Sequence, residues 1–303
     1  MRNNNKGRNK KLIVVVGPNA SGKSEIAVKI AKMVAGEVIS ADSRQVYVGM
    51  DVGSGKITKK EMKGIPHHLL DVAKPRSIFT VTRYRKLALS AIEKIQKSGG
   101  IPILCGGTGF YVQSIIDGIM IPEVKPNWKL RQKLEKIPTD KLFSMLKKID
   151  PVRAKTIEAK NPRRLIRAIE IVKATKKPVP VFKKQPLTYD ILILGIKKSE
   201  NDLKKLISAR TQKRIKMGMI AETEKLRKSG LSWSKLEGFG LEYRTAAEFL
   251  QKKITKAQMI ENITREDWQY AKRQIMWFKR DKRVRWIRTQ NQALSLAKKY
   301  LKK

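Results

Sequence analysis

The sequence predicts an α/β protein: a parallel β-sheet flanked by helices, interrupted by an inserted all-helical domain. Three observations predict it. The apolar run LIVVV at 12–16 leads into the glycine-rich loop GPNASGKS at 17–24, and then into a stretch of helical period. Further apolar runs alternate with amphipathic ones up to residue 105. Residues 124–186 are then helical in pattern, basic and punctuated by prolines, before YDILILGI at 189–196 restores strand character. Strands that alternate with helices build parallel sheets with right-handed crossovers.

The elements follow in order. Residues 12–16 form a buried strand. Ile26, Ala27, Ile30, Ala31 and Val34 mark the inner face of the next helix, which Gly36 is expected to end. A second strand spans 38–41, with Asp42 just beyond its end, and a third spans 67–72. Tyr84, Leu87, Ala88, Ala91, Ile92 and Ile95 mark an amphipathic helix stopped by Gly99-Gly100. The run at 101–105 is a fourth strand, followed by GGTGFY at 106–111 and a short helix. After the strand at 189–196 come two long helical stretches, 200–228 and 255–280, and VRWI at 284–287 as a last strand. A capping box at Thr264 to Asp267 would split the second stretch, but Ile260, Ile263, Ala271, Ile275 and Phe278 keep one helical period through it. The organisation expected is a basic flexible tail at 1–11, an α/β core of 12–123 plus 187–303, and a helical insertion at 124–186. Ligands of such sheets gather at the carboxyl ends of the strands. The glycine loop, Asp42 and residues 106–108 all fall there.

The charge is the outlier in composition. Lys plus Arg number 68 against 26 Asp plus Glu, a net charge of +42 over 303 residues. A polyanion such as nucleic acid offsets that self-repulsion and gains from counterion release. A generally basic, solvated surface is the alternative. Hydrophobic residues make up 41% of the chain, which excludes disorder throughout. A single cysteine, Cys105, excludes an intrachain disulfide and a zinc ribbon or finger. Its place in an apolar run suits a small buried hydrophobe. No apolar stretch is long enough to span a bilayer, and MRNNNKGRNKK lacks a signal-peptide core, so no membrane partner and a cytoplasmic location are expected.

Gly17, Pro18, Asn19, Ala20, Ser21, Gly22, Lys23 and Ser24 fit G-x-x-x-x-G-K-[ST] in full, between a strand and a helix. The fold expected is therefore phosphate-loop NTPase-like. Backbone amides and the helix N-terminus cradle an anion, Lys23 supplies a point charge, and the Ser24 hydroxyl suits Mg²⁺. The motif fits ATP binding by a triphosphatase or kinase, and equally an enzyme whose leaving group is a diphosphate. Asp42 at its strand end can be a Mg²⁺ ligand, a general base or a turn cap.

Six ordered pieces resemble the tRNA dimethylallyltransferase (isopentenyltransferase) family: the phosphate loop, DSRQVYVGMDVGSGK at 42–56, GIPHHLLDV at 64–72, GGTGFY at 106–111, NPRRLIRAIEI at 161–171 and AKRQIMWFKRD at 271–281. The resemblance runs from about residue 12 to about 287. It implies transfer of a dimethylallyl group from dimethylallyl diphosphate to the N6 amine of the adenosine beside the anticodon, with Mg²⁺ as cofactor and a tRNA anticodon stem-loop as partner. A monomer is the expected working form, though the sequence does not give the oligomeric state. The resemblance further implies Asp42 as catalytic base, Lys23 on the diphosphate, Thr108 beside the reacting centre and Arg131, in PNWKLR, at the catalytic channel. For Thr108 a hydroxyl that satisfies the glycine turn is the alternative, and for Arg131 a solvated arginine. The residues expected to meet tRNA are Asp42, Ser43, Arg44, Gln45, Arg163, Arg164, Arg167, Tyr243, Arg244, Lys272, Arg273, Gln274 and Trp277. GFGLEYR at 238–244 departs from the commoner glycine-tyrosine-basic form of the family. His67 and His68 match the pattern but lack metal-ligand partners, so packing and turn hydrogen bonds are expected of them. Two other activities fit parts of the sequence: adenylate isopentenyl transfer to a free nucleotide, and RNA-associated ATP hydrolysis. A non-catalytic RNA-binding module would leave Lys23, Ser24 and Asp42 without purpose.

Overall fold

Why the apolar runs become strands is visible in their alternation. In β1 (Lys11–Val16), Leu12, Val14 and Val16 enter one core while Ile13 and Val15 enter another. Both faces are covered, so the run carries no polar residue between Leu12 and Val16. The computed structural model describes residues 10–119, 124–180 and 189–302. The first nine residues of the expected tail, and residues 181–186 of the expected insertion, lie outside these. The chain divides into two compact units, Met1–Asp117 with Leu187–Lys303, and Gly118–Pro186.

In the larger unit β1 is followed by α1 (Lys23–Val34), β2 (Gly36–Ser40), α2 (Lys59–Met62), β3 (His67–His68), α3 (Val81–Lys97), β4 (Ile101–Gly106) and α4 (Gly109–Ile116). Helix α1 stops one residue earlier than expected. Ala35 takes the left-handed conformation at its C-cap, and Gly36 already belongs to β2. The third strand is also shorter than the expected 67–72, because Leu69 and Asp71 both adopt positive φ, which extended chain does not. His67 Nδ1 pairs with the Ile65 carbonyl at 2.8 Å and His68 Nε2 with Glu37 at 2.5 Å.

The smaller unit holds α5 (Trp128–Glu135), α6 (Thr139–Ile149), α7 (Pro151–Ala154) and α8 (Pro162–Thr175). Asn161 caps α8 through the Arg164 amide, with Pro162 in its first turn. Leu165, Ala168, Ile169 and Val172 of α8 pack with Leu134, Leu142 and Leu146.

The larger unit resumes with β5 (Asp190–Ile196), α9 (Glu200–Lys216), α10 (Met219–Lys228), α11 (Trp233–Gly238), α12 (Leu241–Leu250), α13 (Lys256–Lys279), β6 (Val284–Ile287) and α14 (Gln290–Lys302). The first long helical stretch breaks at Gly218, whose φ of 95° caps α10. The second is one continuous helix whose capping box is Thr255 with Gln258, not a box at Thr264. Among the described residues the sheet has six strands in the order β3-β2-β4-β1-β5-β6, and every pairing is parallel. Their shared direction brings the ends of β1, β2 and β4 to one edge of the sheet. No helix among the described residues is long and apolar enough to cross a membrane.

Candidate active site

The loop after β1 turns tightly at Gly22, where φ is 88° and a side chain would be strained. Ser21 is buried, and its hydroxyl donates to the Pro18 carbonyl at 2.8 Å. The Lys23 ammonium folds back onto the same carbonyl at 2.6 Å. Burial lowers its pKa to about 8, and the positive charge of Arg210 acts the same way, against Asp42 and Asp267. Ser24 is exposed at the first turn of α1, and its hydroxyl makes no hydrogen bond among the described residues.

Asp42 follows β2, and its two carboxylate oxygens are used differently. Oδ1 accepts from the Arg44 amide at 2.8 Å and from the Gln45 amide at 3.3 Å. Oδ2 accepts no hydrogen bond among the described residues. The turn-capping role and an open carboxylate oxygen therefore coexist on one side chain. Thr108, beyond β4, joins this turn to the neighbouring strand end: its Oγ1 accepts from the Ser43 amide at 3.1 Å, and its own amide donates to the Ala41 carbonyl at 3.1 Å.

Helix α13 builds much of the rest. The amide side chain of Gln274 is buried and ties the two glycine turns together. Its Oε1 accepts from the Asn19 amide at 2.7 Å, and its Nε2 donates to the Gly107 carbonyl at 3.0 Å. Asp267, also buried, accepts from Asn19 Nδ2 at 2.6 Å. The Tyr270 phenol is pushed up to about 12, chiefly by burial and then by the Asp42 carboxylate, against the Thr108 hydroxyl. Arg210 comes from α9. It makes no hydrogen bond or salt bridge among the described residues, and burial lowers its pKa to about 10, with Arg214 acting the same way. Arg214 itself is paired with the buried Glu242.

The expected RNA-facing residues divide. Lys272 and Arg273 are exposed on α13, with their charges over the rings of Trp268 and Tyr270 at 5.5 Å and 5.6 Å. Arg44 lies over the Phe239 ring at 6.0 Å. The side chain of Gln45 is engaged: Nε2 donates to the Gly55 carbonyl at 3.2 Å. Arg244 pairs with Glu266. Trp277 packs against Gly109 and the main core. Two expectations give way to other roles. Gln274 is an internal strut of the glycine loops, not an RNA contact. Tyr243 is 1% exposed, and its hydroxyl donates to Glu222 at 2.8 Å, so it is an interior residue.

In the smaller unit Arg163 and Arg164 are exposed. Arg131 is held by the buried carboxylate of Glu170, Nε at 2.9 Å and Nη2 at 2.7 Å, and Arg167 pairs with the same carboxylate. Burial of Glu170 works against its charge, yet those two arginines hold its carboxyl below the ordinary range. Arg131 is thus an internal tie between α5 and α8 and not a freely solvated arginine.

Tyr270, Asp267 and Arg210 are site residues that the sequence did not reveal. Each sits on a long helix with no local motif around it, and only the helical period marks its surroundings.

A family model described as IPP transferase matches residues 45–281, well over half of the chain. The chain belongs to the IPP transferase family. Among its relatives, the tRNA dimethylallyltransferase of Carboxydothermus hydrogenoformans is 38% identical over 293 residues, covering 94% of each chain. That of Acetivibrio thermocellus is 37% identical over 284 residues, covering 91% of each. The solved tRNA isopentenylpyrophosphate transferase of Bacillus halodurans superposes with a TM-score of 0.72 at 33% identity, over 97% of this chain and 96% of that one. A eukaryotic dimethylallyltransferase solved acting on tRNA gives a TM-score of 0.71 at 27% identity, over 89% of this chain and 70% of that one.

Proposed function

We propose that this protein transfers the dimethylallyl group of dimethylallyl diphosphate to the exocyclic N6 amine of the adenosine beside the anticodon of tRNA. One observation carries this: at the strand ends, two cations without salt-bridge partners among the described residues, Lys23 and Arg210, adjoin a carboxylate with one open oxygen, Asp42 Oδ2. The cations suit a diphosphate and the carboxylate suits an amine proton.

In the reaction the bond from the allylic carbon to the diphosphate oxygen breaks, and the oxygen leaves with the electron pair. The N6 lone pair forms the new C–N bond, and the amine proton passes to Asp42 Oδ2. The adenine amine is a weak nucleophile because its lone pair is delocalised into the ring. Catalysis therefore rests on stabilising the leaving charge and on holding amine, carbon and oxygen in line. Loop amides, Lys23 and Arg210 do the first. The Thr108 hydroxyl, fixed by the Ser43 amide, and the Tyr270 phenol, kept protonated by its raised pKa, orient the groups around Asp42. For Mg²⁺, the exposed Ser24 hydroxyl is an oxygen donor of the right kind. Among the described residues no cluster of three His, Cys, Asp or Glu offers another site, so Ser24 and the donor's own phosphate oxygens would hold the ion. When bound, Mg²⁺ neutralises charge on the departing diphosphate.

The target base must leave its stack to reach Asp42, as bases do for enzymes that modify them. Exposed Lys272 and Arg273 on α13 and Arg163 and Arg164 on α8 supply backbone contacts to the anticodon stem-loop. The deciding experiment is incubation with radiolabelled dimethylallyl diphosphate, Mg²⁺ and unmodified tRNA, followed by nucleoside analysis. Label is expected in N6-dimethylallyladenosine. Label on AMP but not on tRNA, or RNA-stimulated ATP hydrolysis without transfer, would overturn the proposal.

A further inference from the structure

The turn at 51–55 closes around a carboxylate that the reaction does not use. Glu222, on α10, accepts three successive backbone amides: Asp51 at 2.8 Å and Val52 at 2.7 Å on Oε2, and Gly53 at 2.9 Å on Oε1. The Tyr243 hydroxyl donates to Oε1 at 2.8 Å and itself accepts the Ser54 amide at 3.2 Å. Four consecutive amides thus converge on the half-buried Glu222 carboxylate and the buried Tyr243 phenol, the arrangement by which proteins bind anions in backbone nests. A Cβ at Gly53 would meet the Tyr243 ring at 2.6 Å, so the backbone lies directly on the phenol. Lys56 seals the turn from outside, bridging Asp51 and Asp71 at 2.5 Å each.

The far end of the same turn faces the site. Gly55, at φ 61°, is pressed against the guanidinium groups of Arg210 and Arg214, with no room for a Cβ. Its carbonyl accepts from Gln45, three residues after Asp42. Arg214 is fixed by Glu242, whereas Arg210 has no partner among the described residues to fix it. One wall beside Arg210 is therefore the Gly55 backbone. Gly55 in turn donates to the Val52 carbonyl at 3.1 Å, within the stretch 51–53 that Glu222 grips.

We propose that Glu222 is a positioning residue for donor binding. By holding the 51–55 turn, it keeps Gly55 against Arg210 and aims that guanidinium at the diphosphate. The proposal rests on the prenyl-diphosphate reading of the glycine loop.

The test measures binding of inorganic pyrophosphate with Mg²⁺ by calorimetry to the full-length protein, Glu222→Gln, Arg210→Leu and the double variant. The glutamine is isosteric, but its amide nitrogen faces an amide donor and so releases the turn. Wild-type protein should bind. Glu222→Gln should weaken pyrophosphate roughly 10-fold, in the range that a displaced binding group costs, with tRNA affinity within about twofold. In the Arg210→Leu background the same change should have little further effect, since the group it positions is gone. A staple that served stability alone would lower the melting temperature and leave pyrophosphate affinity unchanged, which overturns the proposal. So would fully additive effects in the double variant. Tyr243→Phe supplies a second probe if Glu222→Gln does not fold: it should weaken pyrophosphate about threefold, and unchanged affinity counts against the proposal. Failure of the wild-type protein to bind pyrophosphate would instead remove the reading of the loop, and this inference with it.

Discussion

The proposed reaction gives Asp42 two tasks with two oxygens, and substitution can separate them. Oδ1 holds the amides of Arg44 and Gln45, and Oδ2 is open. Asparagine keeps the first task. Its Oδ1 must face the two amide donors, because its NH₂ cannot, so the turn survives while the proton acceptor is lost. Alanine loses both. Loss of such a side-chain cap costs about 1 kcal/mol, and loss of a general base lowers the rate by ~10²–10⁴. Asp42→Asn should therefore unfold in urea within about 0.5 kcal/mol of wild type, yet show single-turnover prenyl transfer slower by at least ~10² at saturating donor. Asp42→Ala should be as slow and also about 1 kcal/mol less stable, with tRNA retained on filters in both cases. Near-normal turnover by Asp42→Asn would refute the base assignment and leave Asp42 a turn cap. Equal stability losses in the two variants would refute the division between its oxygens.

Other consequences can be checked directly. Gln274→Leu leaves the Asn19 amide and the Gly107 carbonyl unpartnered in a buried place, so stability should fall by about 2–4 kcal/mol in urea, with weaker pyrophosphate binding. Arg210→Leu should raise the pyrophosphate Kd by roughly 10- to 100-fold in calorimetry while the circular dichroism spectrum stays unchanged, because none of the described residues hydrogen-bonds or ion-pairs with that guanidinium. Burial pushes the Cys105 thiol up to about 12, with Asp42 acting the same way and Lys23 opposing. The thiolate thus forms only at pH values far above 8, so iodoacetamide at pH 8 should label the native protein ~10³ times more slowly than the urea-unfolded chain.

The α/β core was legible because β1, β4 and β5 are largely apolar runs of six or seven residues, and because the glycine loop carries a local motif between a strand and a helix. β3 was over-extended because HHLLDV is apolar enough to be a strand, and nothing local announces the positive φ of Leu69 and Asp71. Long helical stretches were legible as periods, but not their breaks: Gly218 caps α10 by backbone conformation alone. In the site, Asp42 and Thr108 lie at strand ends, where topology concentrates ligands. Arg210, Asp267 and Tyr270 arrive on helices far along the chain, so only packing brings them to the loop. Tyr243 and Gln274 show the opposite error. Polar side chains in basic, aromatic surroundings resemble RNA contacts, but these two satisfy buried backbone groups of the 51–55 turn and of the glycine loops. In isolation the sequence does not separate a polar residue turned outward from one turned inward to hold a loop.

Under the proposed function, the arrangement of charge explains how one basic protein can sort two anionic substrates. A net charge of +42 attracts any polyanion, so long-range attraction sets encounter rates and not discrimination. Within the site, Lys23 rests on a neutral carbonyl and Arg210 on a glycine backbone, both weaker partners than a diphosphate. A bound donor removes the mutual repulsion of these cations and stabilises the fold by RT ln(1 + [L]/Kd), about 2.7 kcal/mol at 100 times Kd. Asp42 opposes that field at the point where the base must arrive. Its open oxygen repels a phosphate of the RNA backbone and accepts a neutral amine. In the proposed reaction the positive groups thus select where the diphosphate sits, and the one carboxylate oxygen left open beside Thr108 selects which part of the RNA can approach the allylic carbon.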